Sequence, residues 1–87
     1  MNIKIYSKTN CIFCFRVKEW FQENNINYEE IQINDKIERQ KFYESCGNSV
    51  KSMPQIFLDK KRIGGWKELQ GFTEQILSNN IAFSDNF

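Results

Sequence analysis

Histidine is absent from the 87 residues, proline occurs once, cysteine three times and glycine four times. Without histidine there is no Ser-His or Cys-His nucleophile and no zinc site of mixed Cys and His ligands. No apolar run approaches the roughly 20 residues of a membrane span. Neither sign of charge dominates: 12 Lys and Arg face 11 Asp and Glu, interleaved rather than clustered, for a net +1. That balance gives no footprint for nucleic acid or an anionic membrane, so small molecules or proteins are the expected partners. Repeats, low-complexity tracts and linkers are also missing, and residues 1–87 are expected to form one domain. A chain of this size buries only roughly 60% of its unfolded surface.

Cys11, Cys14 and Cys46 are too few, and odd in number, for a small secreted disulfide scaffold. The opening MNIKIYSK has neither the basic head nor the longer apolar run of a signal peptide, so a cytoplasmic location is expected. In that reducing compartment a close cysteine pair is more often catalytic or metal-binding than structural. Zinc wants four ligands, and one C-x-x-C plus Cys46 supplies three thiolates, so no metal is expected. A structural disulfide closing so short a loop constrains the unfolded chain little. Redox chemistry at Cys11 and Cys14 is therefore the favoured reading. Cys46, near the end of a predicted helix, reads as a packed small apolar residue rather than a sensor thiol.

Along the chain, NIKIY alternates Ile3 and Ile5 with polar neighbours, the period of a strand, although Lys4 fits poorly if both faces are covered. From Cys11 the period changes. Phe13, Val17, Trp20 and Phe21 make a stripe down one side of a helix that fades at ENN, and the stripe reads as core packing. NYEEIQI sets Ile31 and Ile33 on one face of a second strand, expected at a sheet edge. DKIERQKFYESCG reads as a helix, with Asp35 as N-cap, Glu38 completing a capping box and Gly47 as the stop signal. QIFLDKKRIGG has the form of a hairpin turning on DKK, and Leu69, Phe72 and Ile76 make the last helix amphipathic. The phenylalanines of the tail IAFSDNF are candidates to pack onto the body. The order β-α-β-α-β-β-α implies a right-handed parallel crossover extended by an antiparallel hairpin, with helices on both faces.

Cys11 falls where the first strand gives way to the helix, so free amide N–H groups and the positive end of the dipole point at its sulfur. Such surroundings lower a cysteine pKa from about 8.5 toward roughly 3.5–7.5 and make the sulfur nucleophilic at neutral pH. Lys8, in the preceding loop, adds a positive charge. Cys14 is one turn on, expected to be buried and placed to attack a mixed disulfide formed at Cys11.

YSKTNCIFC, SMPQIF and IGGWKEL, in this order with these intervening elements, resemble a dithiol glutaredoxin of the thioredoxin-fold superfamily over about residues 1–78. Short members of that family also occur in bacteriophages. The resemblance implies an α/β thioredoxin-like fold with a four-stranded mixed sheet. It also implies a monomeric thiol–disulfide oxidoreductase that uses glutathione as reductant and acts on disulfide-containing client proteins, ribonucleotide reductase being a common one. Pro54 resembles the family's cis-proline, which leaves the main chain of Met53 to pair with a peptide-like substrate. Gly64 and Gly65 resemble the start of the helix that receives the γ-glutamyl carboxylate of glutathione. Lys67 and Glu68 stand where the family usually has acidic or hydroxyl residues; they are expected on the carboxylate and ammonium group respectively. Lys8 matches the residue facing the glycyl carboxylate, with Arg39 or Gln40 assisting. Phe13 keeps the aromatic ring of the family's motif, and Ile12 replaces its proline. Relatives without that proline sometimes hold a [2Fe–2S] cluster between two subunits, so a glutathione-ligated cluster carrier is one alternative. A thioredoxin-like donor reduced by a flavoprotein is another.

Overall fold

The structure, a computed structural model, describes the backbone of residues 1–84 and the side chains of residues 1–79. Its elements are β1 (Ile3–Ser7), α1 (Ile12–Glu23), β2 (Glu29–Gln32), α2 (Lys36–Cys46), β3 (Gln55–Leu58), β4 (Lys61–Gly64), α3 (Trp66–Leu69) and α4 (Thr73–Ser84). They build a four-stranded mixed sheet in the order β2-β1-β3-β4. β1 runs parallel to β2, and both β1–β3 and β3–β4 are antiparallel. The second strand lies at an edge, as its sequence implied. Packing of the tail phenylalanines lies outside the described residues.

The period-two pattern of β1 sends Ile3, Ile5 and Ser7 to one face, where they are buried, and leaves Lys4 and Tyr6 half-buried on the other. Register places Ile3 beside Leu58 and Ile5 beside Ile56, so four apolar side chains from the two central strands share one face. Val17 and Phe21 of α1, Leu69 of α3 and Ile76 of α4 close over them, all fully buried. Truncating Phe21 to alanine here is expected to cost about 3–5 kcal/mol. On the opposite face Tyr43 of α2 joins Cys14, Val50 and Met53 in a second cluster, with Tyr6, Phe42 and Cys46 packed against it. Cys46 is half-buried there as a free thiol.

Caps and turns follow local chemistry. The Asp35 carboxylate accepts the Glu38 amide N–H at 2.9 Å, and Gly47, at φ 141°, ends α2. The hairpin turns on Asp59 and Lys60, whose φ values of 49° and 73° give the doubly left-handed turn that matches strand twist.

Two readings of the sequence need revision. Phe13 does not join the core stripe: it is 48% exposed, and the buried positions of α1 are Cys14, Val17 and Phe21. The first turn of α1 holds Phe13 clear of the sheet, so the inward-facing set begins one residue later. The last helix is also divided. Around Gly71 the bonds Gly71 N–H to Glu68 O (3.0 Å) and Phe72 N–H to Leu69 O (2.9 Å) tighten the chain into a turn before α4 begins. Glycine at that point weakens helix propagation.

Candidate active site

Cys11 and Cys14 form a disulfide, with Cα atoms 5.2 Å apart. Cys11 is the N-cap of α1, in extended conformation. Its Sγ accepts the amide N–H of Cys14 at 3.2 Å, so the sulfur does what a capping oxygen does elsewhere. The first turn of α1 carries no acidic residue, which leaves the positive end of the helix uncompensated around that sulfur. Asn10, directly before it, sits at φ 55°, a conformation asparagine tolerates. The Thr9 amide donates to Asn34 Oδ1 at 2.8 Å and ties the loop to the connection between β2 and α2. Cys14 is 1% exposed and Cys11 partly so, an asymmetry that presents Cys11 to solvent and seals its partner.

Across from the disulfide, the Met53–Pro54 peptide bond is cis, and the Met53 carbonyl oxygen lies 3.6 Å from Cys11 Sγ. Met53, Pro54, Phe13, Gly65, Lys67 and Glu68 line one pocket of about 210 Å³, together with Ser52, Gln55 and Trp66. Arg16 lies 5.5 Å above the Phe13 ring and steadies it at the pocket rim.

Lys8 is placed elsewhere. It borders a separate, larger hollow of about 580 Å³, which both cysteines line. Gly64 borders a third hollow behind the first, beside Arg62 and Ser49. Six of the eight expected ligand-binding residues therefore share one pocket, while Lys8 lines a hollow that Cys11 also borders. Arg39 and Gln40 are engaged away from both: Arg39 donates to the carbonyls of Ile33 (3.2 Å) and Asn34 (3.1 Å), and Gln40 to Glu44 Oε2 (3.3 Å). Neither lines a pocket beside the cysteines.

The exposed Glu68 side chain folds back onto the start of its own helix. Its Oε1 accepts the Gly65 amide N–H at 2.8 Å, closing the short α3 on its own carboxylate. Gly64 has φ 118°, and a Cβ there would stand 2.6 Å from Glu68 Cγ. A Cβ on Gly65 would stand 3.0 Å from the Pro54 carbonyl oxygen. Both glycines are thus needed for close approach, one to Glu68 and one to the proline loop.

A cluster that pattern reading missed adjoins the larger hollow through Lys18, which lines it. Buried Ser7 donates to Glu30 Oε2 at 2.6 Å, and Lys18 Nζ reaches the same oxygen at 2.8 Å. Burial pushes the Glu30 carboxyl up, but hydrogen bonds from Lys18, Ser7 and Gln32 and the Lys18 charge outweigh it and hold it below its ordinary value. Among the described residues no three His, Cys, Asp or Glu side chains stand close enough to hold a metal ion, and no helix is long and apolar enough to cross a membrane.

The family model described as Glutaredoxin matches residues 3–63. Glutaredoxin 1 of Rickettsia conorii is 32% identical over 84 residues, spanning 88% of this chain and 81% of that protein. The crystal structure of glutaredoxin 1 from Francisella tularensis, complexed with cacodylate, superimposes with a TM-score of 0.82 at 38% identity, covering 88% of this chain and 96% of that one. Buckwheat glutaredoxin, solved as a glutathione complex, shares the fold with a TM-score of 0.70 at 23% identity, over 84% of this chain and 68% of that one.

Proposed function

The chain belongs to the glutaredoxin family and is a thiol–disulfide oxidoreductase; on that premise we propose that glutathione supplies its electrons and that Cys11 is the attacking sulfur. The observation that carries this reading is the pocket of Phe13, Met53, Pro54, Gly65, Lys67 and Glu68 beside a capped, partly exposed Cys11. The solved glutathione complex of the buckwheat protein on the same fold adds support.

In the reduced protein the Cys11 thiolate attacks a client disulfide, forms a mixed disulfide and releases one client thiolate. The Cys14 thiolate then attacks Cys11 Sγ, expelling the second client thiolate and leaving the intramolecular disulfide seen in the structure. Two electrons have passed to the client. One glutathione thiolate reopens the disulfide at Cys11 and Cys14 takes up a proton; a second glutathione displaces the adduct as oxidised glutathione. While the adduct stands, its peptide main chain pairs with Met53 as an added strand would. Its glycyl carboxylate faces Lys8 across the sulfur, its γ-glutamyl carboxylate lies toward Lys67, and its ammonium group faces Glu68. The working unit is a single chain in the cytoplasm, and the clients are disulfide-bearing proteins.

The test couples glutathione, glutathione reductase and NADPH to reduction of a glutathione mixed disulfide. Turnover with glutathione and none with a flavoprotein thioredoxin reductase is expected; the reverse defeats the assignment.

A further inference from the structure

Along α1 the solvent-facing side chains change character abruptly. Arg16, Glu19, Gln22 and Glu23 are polar, as a surface helix requires, whereas Ile12, Phe13 and Phe15, all within one turn of Cys11, are apolar. Ile12 is 65% and Phe15 61% exposed. Phe13 borders the smaller pocket, but Ile12 and Phe15 border the larger hollow that both cysteines line. A tripeptide seated against Met53, Pro54 and Gly65 leaves those two side chains bare. The charged residues of that hollow are Lys8 and Lys18, with no acid lining it, and Lys18 is already paired with Glu30. The rim is therefore apolar with a positive flank.

We infer that Ile12 and Phe15 form a docking rim for a protein segment whose disulfide cysteine is flanked by apolar residues and carries no adjacent lysine or arginine. The inference rests on Cys11 being the attacking sulfur, as proposed above. Bond exchange at Cys11 requires the client sulfur to come to the edge of this rim, so the residues beside that sulfur are the ones that cover Ile12 and Phe15. Apolar neighbours remove the exposed rings and methyls from water; a cationic neighbour meets Lys8 instead. The chemistry is the exchange already written: the client disulfide is reduced, and the Cys11–Cys14 dithiol is oxidised.

Single-turnover reduction of synthetic peptides tests this. Protein pre-reduced with dithiothreitol and desalted is mixed with peptides closed by one disulfide, one cysteine being flanked on both sides by Leu, by Ser or by Lys. The Leu peptide is expected to react on the order of tenfold faster than the Ser peptide, the scale on which small apolar contacts discriminate, with the Lys peptide slowest. The double variant Ile12→Ser with Phe15→Ser is expected to bring the Leu peptide down to the Ser rate. Its rate on bis(2-hydroxyethyl) disulfide should match the parent's, and circular dichroism checks that it is folded. Equal rates on the Leu and Ser peptides in the parent overturn the inference, as does a double variant that keeps the parent's rate on the Leu peptide. A second copy of the chain covering the rim would appear as a dimer that the double variant dissolves, and that result also overturns it. No glutathione enters this reaction, so failure of glutathione to recycle the protein would sink the proposed reductant and leave the rim standing.

Discussion

The amide N–H of Cys14 donates to the disulfide-bonded Sγ of Cys11 at 3.2 Å, a donor placed to stabilise negative charge on that sulfur once the bond is reduced. Cys11→Ser is expected to abolish reduction of glutathione mixed disulfides, because no sulfur remains at the exposed position. Cys14→Ser keeps that amide and is expected to retain the activity on mixed disulfides while losing multiple turnover on intramolecular protein disulfides. Both rates are read in the coupled assay. Activity persisting in Cys11→Ser would place the nucleophile elsewhere.

Gly64 has no room for a methyl group, with Glu68 Cγ 2.6 Å from the position of its missing Cβ. Gly64→Ala is expected to lose about 1–3 kcal/mol, from backbone strain at positive φ and displacement of the Glu68 cap. The KM for glutathione is expected to rise, since Glu68 and Gly65 share the pocket with Met53 and Pro54. Urea denaturation and steady-state kinetics measure the two effects separately. A variant with parental stability would mean that Glu68 gives way at little cost.

The Glu30 carboxyl is held below its ordinary value of 4.5 in the folded chain; burial opposes this, but the bonds from Lys18, Ser7 and Gln32 prevail. A carboxylate with a lowered folded value binds fewer protons folded than unfolded. Its contribution is therefore complete above about pH 4.5 and is lost as pH falls through the folded value. The pair is partly exposed and is worth no more than roughly 1 kcal/mol. Glu30→Gln is expected to narrow the stability difference between pH 7 and acid. Denaturant midpoints at the two pH values check this, and an unchanged difference would remove Glu30 from the account.

Lys60 sits at φ 73° in the hairpin turn, where a side chain costs about 1–2 kcal/mol. Glycine removes that cost but loses about 0.4–1 kcal/mol to the greater freedom of the unfolded chain. Lys60→Gly is expected to raise stability by about 0.5–1 kcal/mol in chemical denaturation. Destabilisation would indicate a contact made by the lysine stem.

What was legible in the sequence was local. The strand of Ile3 and Ile5, the Asp35 cap, the DKK turn and the cysteine pair each depend on residues a few positions apart, and the fold class followed from their order. The proline loop became legible only through its resemblance to a family, because 42 residues separate Met53 from Cys11. Sheet register decided the rest. It sets Glu30 beside Ile5 and Gln32 beside Ser7, bringing Glu30 within reach of Ser7 and Lys18. No period in EEIQ marks one of its two glutamates for that role. Phe13 was misread for a related reason: a helical stripe does not reveal where the helix runs past the edge of the layer beneath it. The motifs name Lys8 and the glycine pair together, whereas the folded chain sets Lys8, Gly64 and Gly65 on three different hollows.

Cys14 is walled in by Tyr43, Val50 and Met53, while Cys11 alone meets the solvent. Electrons therefore have a single port of entry and exit, and a client and a regenerating thiol must take turns there. Under a large excess of either partner, each one should slow the other by occupying the same doorway.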